Sequence, residues 1–145
     1  MAEKLKVSCV RCGATNHFPL EAVGKKVVCG RCKAILPEPG AVLELTAQQA
    51  VNFLQRASQP VLIDFYSPAC SPCSMMRPIL DRLAKRRAGE IMVIQINVDT
   101  NPELAGSFGI QAVPTYVIFH KGTERGRASG AMAETDFSLW VASRT

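Results

Sequence analysis

The sequence predicts an α/β sandwich, a mixed β-sheet flanked by helices on both faces, with a small metal-bound ribbon in front of it. Three observations carry this reading. From Ala41 onward, apolar runs of strand length such as Val61-Leu-Ile-Asp-Phe-Tyr66 alternate with helical patterns and close on a hairpin and a last helix. That order gathers the strands into one sheet and sends helices to both of its faces. All six cysteines fall into three C-x-x-C pairs, and residues 74–145 contain none. Residues 1–36 hold four of those cysteines and few large apolar side chains; a segment below ~40 residues usually folds only with a metal, a disulfide or a partner.

The bulk numbers agree. A chain of 145 residues with 48% hydrophobic residues suits one ordinary domain plus an appendage, and excludes collagen, coiled coil and wholesale disorder. Apolar runs such as Ile91–Ile94 fall far short of the ~20 residues a membrane helix needs. The start, Met-Ala-Glu-Lys-Leu-Lys, has charge but no apolar stretch behind it, so no secretory signal is visible and a cytoplasmic location is the default expectation. Of the net charge of +5, residues 1–40 carry +4 and residues 41–145 carry +1. Four metal-bound thiolates would cancel about half of the first figure, which argues against nucleic acid as a partner.

The elements follow in order. Residues 1–36 form the ribbon, Pro37-Glu38-Pro39-Gly40 reads as a short stiff linker, and residues 41–145 form the α/β domain. Val42–Leu45 is a short strand. Thr46-Ala-Gln-Gln49 has the form of a capping box, opening a helix through about Arg56 with Val51 and Leu54 among its apolar positions. Val61–Tyr66 is a buried-type strand. A helix follows from about Cys70 to Arg87, with Met76, Ile79, Leu80 and Leu83 at helical spacing and Pro78 expected to kink it. Ile91–Val98 is a second central strand, and Asn101-Pro102-Glu103 opens a short helix ending near Gly109. Thr115–His120, the turn at Lys121-Gly122 and Arg125–Ser129 make a hairpin, and Ala133–Ser143 a closing helix.

Cys9-x2-Cys12-x16-Cys29-x2-Cys32 has the spacing of a structural zinc site. Two turn-borne pairs can close a tetrahedron around one ion, and sites closed by four cysteines are structural rather than catalytic. Two disulfides or four free thiols are the alternatives, which a reducing compartment disfavours. Gly13 and Gly30 suit the turns, where the backbone approaches the sulfurs closely. His17 is expected to be an exposed loop residue, and Phe18 with Leu20 to form the ribbon's small apolar patch.

Cys70-Ser-Pro-Cys73 lies between a buried strand and a helix start. Residues i and i+3 of a first turn share a face, within reach of a disulfide. The unpaired amides and the dipole of a helix N-terminus stabilise a thiolate, so Cys70 is the expected nucleophile. Cys73, one turn in, is more enclosed and suits the resolving role, attacking the mixed disulfide that Cys70 forms with a substrate. Pro72 holds the turn and has no N–H to waste there.

Beyond the dithiol, residues 41–145 resemble a whole thioredoxin domain. The resemblance is carried by Val61-Leu-Ile-Asp-Phe-Tyr66, Pro78, Asn97-Val-Asp-Thr-Asn-Pro102, Phe108-Gly-Ile-Gln-Ala-Val-Pro-Thr115 and Gly130. With the ribbon in front, the full chain is similar to the zinc-ribbon-bearing branch of that family, the thioredoxin 2 type. The resemblance implies three further roles. Asp64 matches the buried carboxylate that assists proton transfer from the resolving cysteine, and an acid in an apolar strand is desolvated with a raised pKa. Pro114 matches a cis-proline facing the dithiol, which would present the Val113 backbone to a substrate strand. Gly130 matches a small residue beside the docking groove, to which Ser71 and Pro72 also contribute. The resemblance further implies protein substrates bearing disulfides, electrons from a flavin-dependent, NADPH-fed reductase, and no organic cofactor in the chain itself.

The departures from the family pattern fall around the dithiol. The family usually carries tryptophan before the first cysteine, glycine after it and lysine after the second; this chain has Ala69, Ser71 and Ser74. Gln95 stands where the family has a lysine near the buried carboxylate. Loss of two cations weakens thiolate stabilisation, while a Ser71 hydrogen bond to a sulfur opposes that loss. Trp140 is expected in core packing, Met75 and Met76 in packing or groove lining, and Lys85-Arg86-Arg87 on a solvated face complementing a helix dipole. His120 borders a turn with no evident acidic or nucleophilic partner.

The expected function is that of a thiol–disulfide oxidoreductase reducing protein disulfides. An oxidant or isomerase is the alternative that keeps the chemistry. A zinc-ribbon binding or holdase module on an inert scaffold is the alternative that abandons it.

Overall fold

The structure, a computed structural model, describes residues 4–9, 12–19, 27–36, 40–57 and 59–145. Leu20 of the expected apolar patch and Pro37–Pro39 of the expected linker lie outside the described residues. In the N-terminal part, β1 (Lys4–Ser8) pairs antiparallel with β2 (Thr15–Pro19), and β3 (Val27–Val28) with β4 (Ile35–Leu36). The remaining elements are β5 (Val42–Glu44), α1 (Ala47–Arg56), β6 (Val61–Tyr66), α2 (Ser71–Arg86), β7 (Met92–Asn97), α3 (Pro102–Ser107), β8 (Thr115–His120), β9 (Thr123–Ser129) and α4 (Glu134–Arg144).

These last strands form one mixed sheet in the order β5-β7-β6-β8-β9. β5, β7 and β6 run parallel, and β8 and β9 add antiparallel at the far edge. The expected elements are present with ends shifted by a residue or two. Thr46 caps α1 with the expected box: its side chain accepts from the Gln49 N–H, while the Gln49 side chain accepts from the Thr46 N–H. Such a cap contributes about 1 kcal/mol. Val51 is exposed on α1, and Ala50 and Phe53 make its buried face instead. Helix α2 continues through Pro78, whose missing N–H leaves the Ser74 carbonyl without its usual helical donor.

Alternation along the strands sorts the core into two layers. Val61, Ile63 and Phe65 of β6 join Ile94 and Ile96 of β7, with Ala50 and Phe53 of α1 and Leu104 of α3. Leu62 and Val93 face the other way, joining Met76, Leu80 and Leu83 of α2 with Phe137 and Val141 of α4. The buried residues of the N-terminal part, Cys9, Phe18, Cys29 and Leu36, belong to the same contiguous cluster as Leu45, Ala50 and Phe53. Phe18 therefore contributes to a core that reaches beyond the ribbon. Trp140 packs on Phe137 and Tyr116, as its place in the last helix implied. Gly40, at φ +80°, lies so close to the end of α2 that a Cβ would fall 2.8 Å from the Lys85 Cα.

The basic run at the end of α2 is exposed at Lys85 and Arg86 in the helix's last turn, as expected, and two of its members also make bonds to other elements. Arg86, with Arg82, pairs with Glu134 at the start of α4 and also reaches Ser138. Arg87 bonds Glu90 and Thr145. Two of the three cations thus tie elements together, and the Arg82 and Arg86 guanidinium groups hold the Glu134 carboxyl down at about 2. Among the described residues no helix is long and apolar enough to cross a membrane.

Candidate active site and metal centre

The side-chain period of the sheet builds the first site. Asp64 stands between Ile63 and Phe65, so it must face the opposite layer, under α2. Gln95 takes the matching place between Ile94 and Ile96, and the parallel register sets Asp64 directly opposite Gln95. On the other side of β6, Asp64 pairs with Tyr116 of β8. Strand β6 then runs out at Tyr66, and the chain turns through Ser67–Ala69 into α2.

Cys70 is the N-cap of α2, and Pro72 stands in its first turn. Cys70 and Cys73 are joined as a disulfide with their Cα atoms 5.2 Å apart. The Cys73 N–H donates to Cys70 Sγ at 3.2 Å, the kind of contact that stabilises negative charge on that sulfur once the bond is reduced. Cys73 is 5% exposed, whereas Cys70 is half-buried. Facing them, the Val113–Pro114 peptide is cis and the Val113 carbonyl oxygen lies 3.6 Å from Cys70 Sγ. The Gly130 N–H donates to the Pro114 carbonyl at 2.9 Å. Gly130 adopts φ +89° with open space where a Cβ would stand. The fold therefore brings Val113 against Cys70, with Pro114 next in the chain and bonded to Gly130, and leaves Ser71 and Pro72 exposed beside the dithiol. The Ser71 hydroxyl makes no hydrogen bond to either sulfur among the described residues; Ser74 Oγ donates to the Cys70 carbonyl instead.

Asp64 is fully buried. Burial pushes its carboxyl up to about 6, against the opposing pull of the Gln95 hydrogen bond and the Arg77 charge. Gln95 Nε2 donates to Asp64 Oδ2 at 2.8 Å, and Arg77 Nη1 donates to Gln95 Oε1. Asp64 Oδ1 has no hydrogen-bond partner among the described residues. Sequence reasoning missed Arg77. A signal was available, since it lies four residues after Cys73 and so on the same face of the helix. The cation expected to be lost with the lysine-to-glutamine change is in part replaced from another element.

Asp64 also makes a stability prediction. Its carboxyl holds a proton more tightly in the folded chain than in the unfolded one, where the pKa is about 3.9. The native state therefore binds the extra proton between pH ~4 and ~6, and stability falls as pH rises through that window. Above pH 6 the full penalty of about 3 kcal/mol applies. Asp64→Asn is expected to raise stability at pH 8 by up to that amount, and to give little gain at pH 3.5. Urea unfolding at both pH values measures it, and an equal gain at both would sink the charge-burial account.

The second site joins the N-terminal strands. The four sulfurs of Cys9, Cys12, Cys29 and Cys32 lie within 4.8 Å of one another. Cys9 and Cys32 Sγ are 3.5 Å apart, and Cys12 and Cys29 Sγ 3.7 Å. A tetrahedron with metal–sulfur bonds of about 2.3 Å has edges of about 3.8 Å, so the set fits one ion. The two turns are near copies: the N–H groups of Gly13 and Lys33 donate to the carbonyls of Cys9 and Cys29. Both Gly13 and Lys33 adopt positive φ, +78° and +67°. Gly30 therefore does not hold the place in the second turn that Gly13 holds in the first; Lys33 does. Gly30 instead donates its N–H to Asn16 Oδ1, while Asn16 Nδ2 and the Arg31 N–H donate to Cys29 Sγ. Backbone contacts from Cys32, the Asn16 amide and the Arg31 N–H hold the Cys29 thiol down at about 6, favouring the thiolate that a metal binds. His17 is exposed and outside this set, but it lies in strand β2 opposite Lys6 and not in a loop.

A cysteine pair that closes into a disulfide at a helix N-terminus, with one sulfur accessible and the other enclosed, defines a thiol–disulfide oxidoreductase. The sequence model of the family described as Thioredoxin matches residues 41–143. Thioredoxin C-3 of Corynebacterium nephridii is 36% identical over 137 residues, 93% of this chain and 92% of that protein. Thioredoxin 1 of Nostoc sp. is 40% identical over 54% of this chain and 74% of its own, and thioredoxin 1 of Synechococcus elongatus 37% over 66% and 86%. The chain belongs to the thioredoxin family, and its enzymatic class is protein-disulfide reduction by thiol–disulfide exchange.

Proposed function

We propose that this chain reduces disulfides of partner proteins, with Cys70 as nucleophile and Cys73 as resolving thiol. The observation that carries the reading is the Cys70–Cys73 pair capping α2, one sulfur beside the Val113 carbonyl and the other enclosed. The Cys70 thiolate attacks a substrate disulfide, forming a Cys70–substrate S–S bond and releasing one substrate thiolate. Cys73 gives its proton to Asp64 and attacks Cys70 Sγ. The second substrate sulfur leaves, the Cys70–Cys73 disulfide forms, and two electrons have passed to the substrate. Val113, Pro114 and Gly130 line the docking surface with Ser71 and Pro72, the Val113 backbone pairing with an extended substrate segment. The dithiol is regenerated by a flavin-dependent, NADPH-fed reductase, as family membership implies, and the work is done in the cytoplasm.

Residues 1–36 act as a zinc ribbon joined by residues 37–40 to the catalytic domain of residues 41–145. Cys9, Cys12, Cys29 and Cys32 would hold the zinc, whose part is to fix the fold of the ribbon. Thiolate-only ligation and tetrahedral sulfur spacing favour zinc over harder cations.

The altered flanks, Ala69, Ser71 and Ser74, bear on the direction of flow, and the reduction potential tests it. Equilibration of Cys70–Cys73 against glutathione is expected to give a value near the about −270 mV typical of thioredoxin. A value at or above about −180 mV, in the isomerase range, would make the chain an oxidant or isomerase.

A further inference from the structure

We propose that Arg77, acting through Gln95, is a positioning residue that holds Asp64 ready to take the proton of Cys73. The inference rests on the proton-transfer reading of Asp64 given above.

The geometry is a relay of fixed polarity. Gln95 is 3% exposed and lies between a guanidinium and a carboxylate. Its amide satisfies both only in one orientation, with Oε1 accepting from Arg77 and Nε2 donating to Asp64 Oδ2. Turning the amide over would set its N–H groups against the guanidinium and its oxygen against the carboxylate. Arg77 therefore fixes which atom meets Asp64 and leaves Oδ1 as the oxygen without a hydrogen-bond partner among the described residues. Arg77 itself is anchored by Asp81, one turn on, at 3.0 Å.

The location suits the task. An open pocket of about 150 Å³ is lined by Cys73, Ser74 and Arg77 of α2, Gln95 of β7, and Tyr66 and Ser67. It brings Cys73, Arg77 and Gln95 onto one pocket. The charged and titratable groups around Asp64 are few. Helix α2 supplies Cys73, Arg77 and Asp81. Strand β6 supplies Tyr66, whose hydroxyl is engaged by Glu44 of β5, and β8 supplies Tyr116. Strand β7 supplies only the neutral Gln95. Arg77 is the sole cation that bears on Asp64 in this set, and it lowers the carboxyl's proton affinity.

A merely structural Arg77 would be a half-exposed ion pair with Asp81, and its loss would not move a pH profile. The test compares the full chain with Arg77→Met, Arg77→Lys, Asp64→Asn and the double variant Arg77→Met/Asp64→Asn. Reduced protein is mixed with an aromatic disulfide in stopped flow between pH 5 and 9. The first thiol release reports attack by Cys70 and the second reports resolution by Cys73. In parallel, the Asp64 carboxyl is titrated by carbon NMR. Arg77→Met is expected to raise the midpoint of both the resolution rate and the carboxyl titration by about one pH unit. Resolution should slow about 2-fold at pH 7 and about 5-fold at pH 6 and recover by pH 9, with the first release unchanged. Arg77→Lys should restore part of the shift, and Arg77→Met should add nothing in the Asp64→Asn background. Unmoved midpoints in Arg77→Met, with Asp64→Asn slow, would overturn the role of Arg77 alone. Unimpaired resolution in Asp64→Asn would overturn the Asp64 reading and this inference with it.

Discussion

Replacing Cys70 with serine is expected to lower turnover of protein disulfides by roughly 10³-fold or more, to the level of the background reaction. A serine hydroxyl is not ionised near neutral pH and does not form a stable bond to sulfur, so the first step has no nucleophile. Cys73→Ser should behave differently. Attack by Cys70 remains, but the mixed disulfide has no internal thiol to resolve it, and the chain accumulates covalently bound to its substrate. Reduction of a disulfide-bonded test protein measures the first variant, and non-reducing electrophoresis followed by mass spectrometry the second. Because Cys70 is a half-buried N-cap and the hydroxyl of serine also caps a helix, Cys70→Ser should stay folded. Undiminished turnover in that variant would leave the scaffold reading standing in place of the enzyme.

Removing metal from the Cys9–Cys12–Cys29–Cys32 cluster is expected to unfold the N-terminal strands and spare the catalytic sheet. β1–β2 and β3–β4 are separate two-stranded sheets, one of them only two residues per strand. Isolated hairpins of that size are marginal in water, whereas a structural zinc contributes about 10–16 kcal/mol in comparable small sites. The five-stranded sheet keeps a core layer free of any ribbon residue, in which Leu62 and Val93 pack on Met76, Leu80, Leu83, Phe137 and Val141. Treating the full chain with a strong chelator should therefore release one zinc per chain and abolish amide protection in β1–β4. Cys70–Cys73 turnover should remain within about twofold. Retained protection in metal-free protein would sink the structural-zinc reading. Lost turnover would show that the cluster reaching from Phe18 and Leu36 to Ala50 and Phe53 couples the two parts.

Much of this was legible beforehand because the informative signals are local. The C-x-x-C spacing, the capping box at Thr46 and the apolar runs of β6 and β7 each act within one turn or one strand. Asp64 announced itself as a carboxylate inside an apolar strand. What the sequence left open has the opposite property. Gly30 is a plausible turn glycine by composition, yet the backbone needs its left-handed residue at Lys33, one step after Cys32, in step with Gly13 after Cys12. Arg86 is exposed as its run suggests, yet its bonds to Glu134 and Ser138 depend on α4 being laid beside it. Val51 fits a helical apolar stripe, but the face that meets the sheet carries Ala50 and Phe53. The cis peptide at Pro114 was expected only from the family resemblance, since an X–Pro bond by itself is cis in about 5–6% of cases.

The sequence by itself determined the chemistry of this protein: two thiols poised at a helix start, four more at metal-binding spacing, and an element order that admits one mixed sheet. By strand alternation it also sets Asp64 on the face of Leu62 and Gln95 on the face of Val93, opposite Ile63, Phe65, Ile94 and Ile96. Only the tertiary structure decided that β6 and β7 lie side by side in the register that sets Asp64 against Gln95, and that Arg77 reaches Gln95 from the helix above. The physical reason is that side-chain period fixes the face on which a residue sits. Which residue stands opposite depends on strand pairing and helix docking, and these are settled by packing of the whole core.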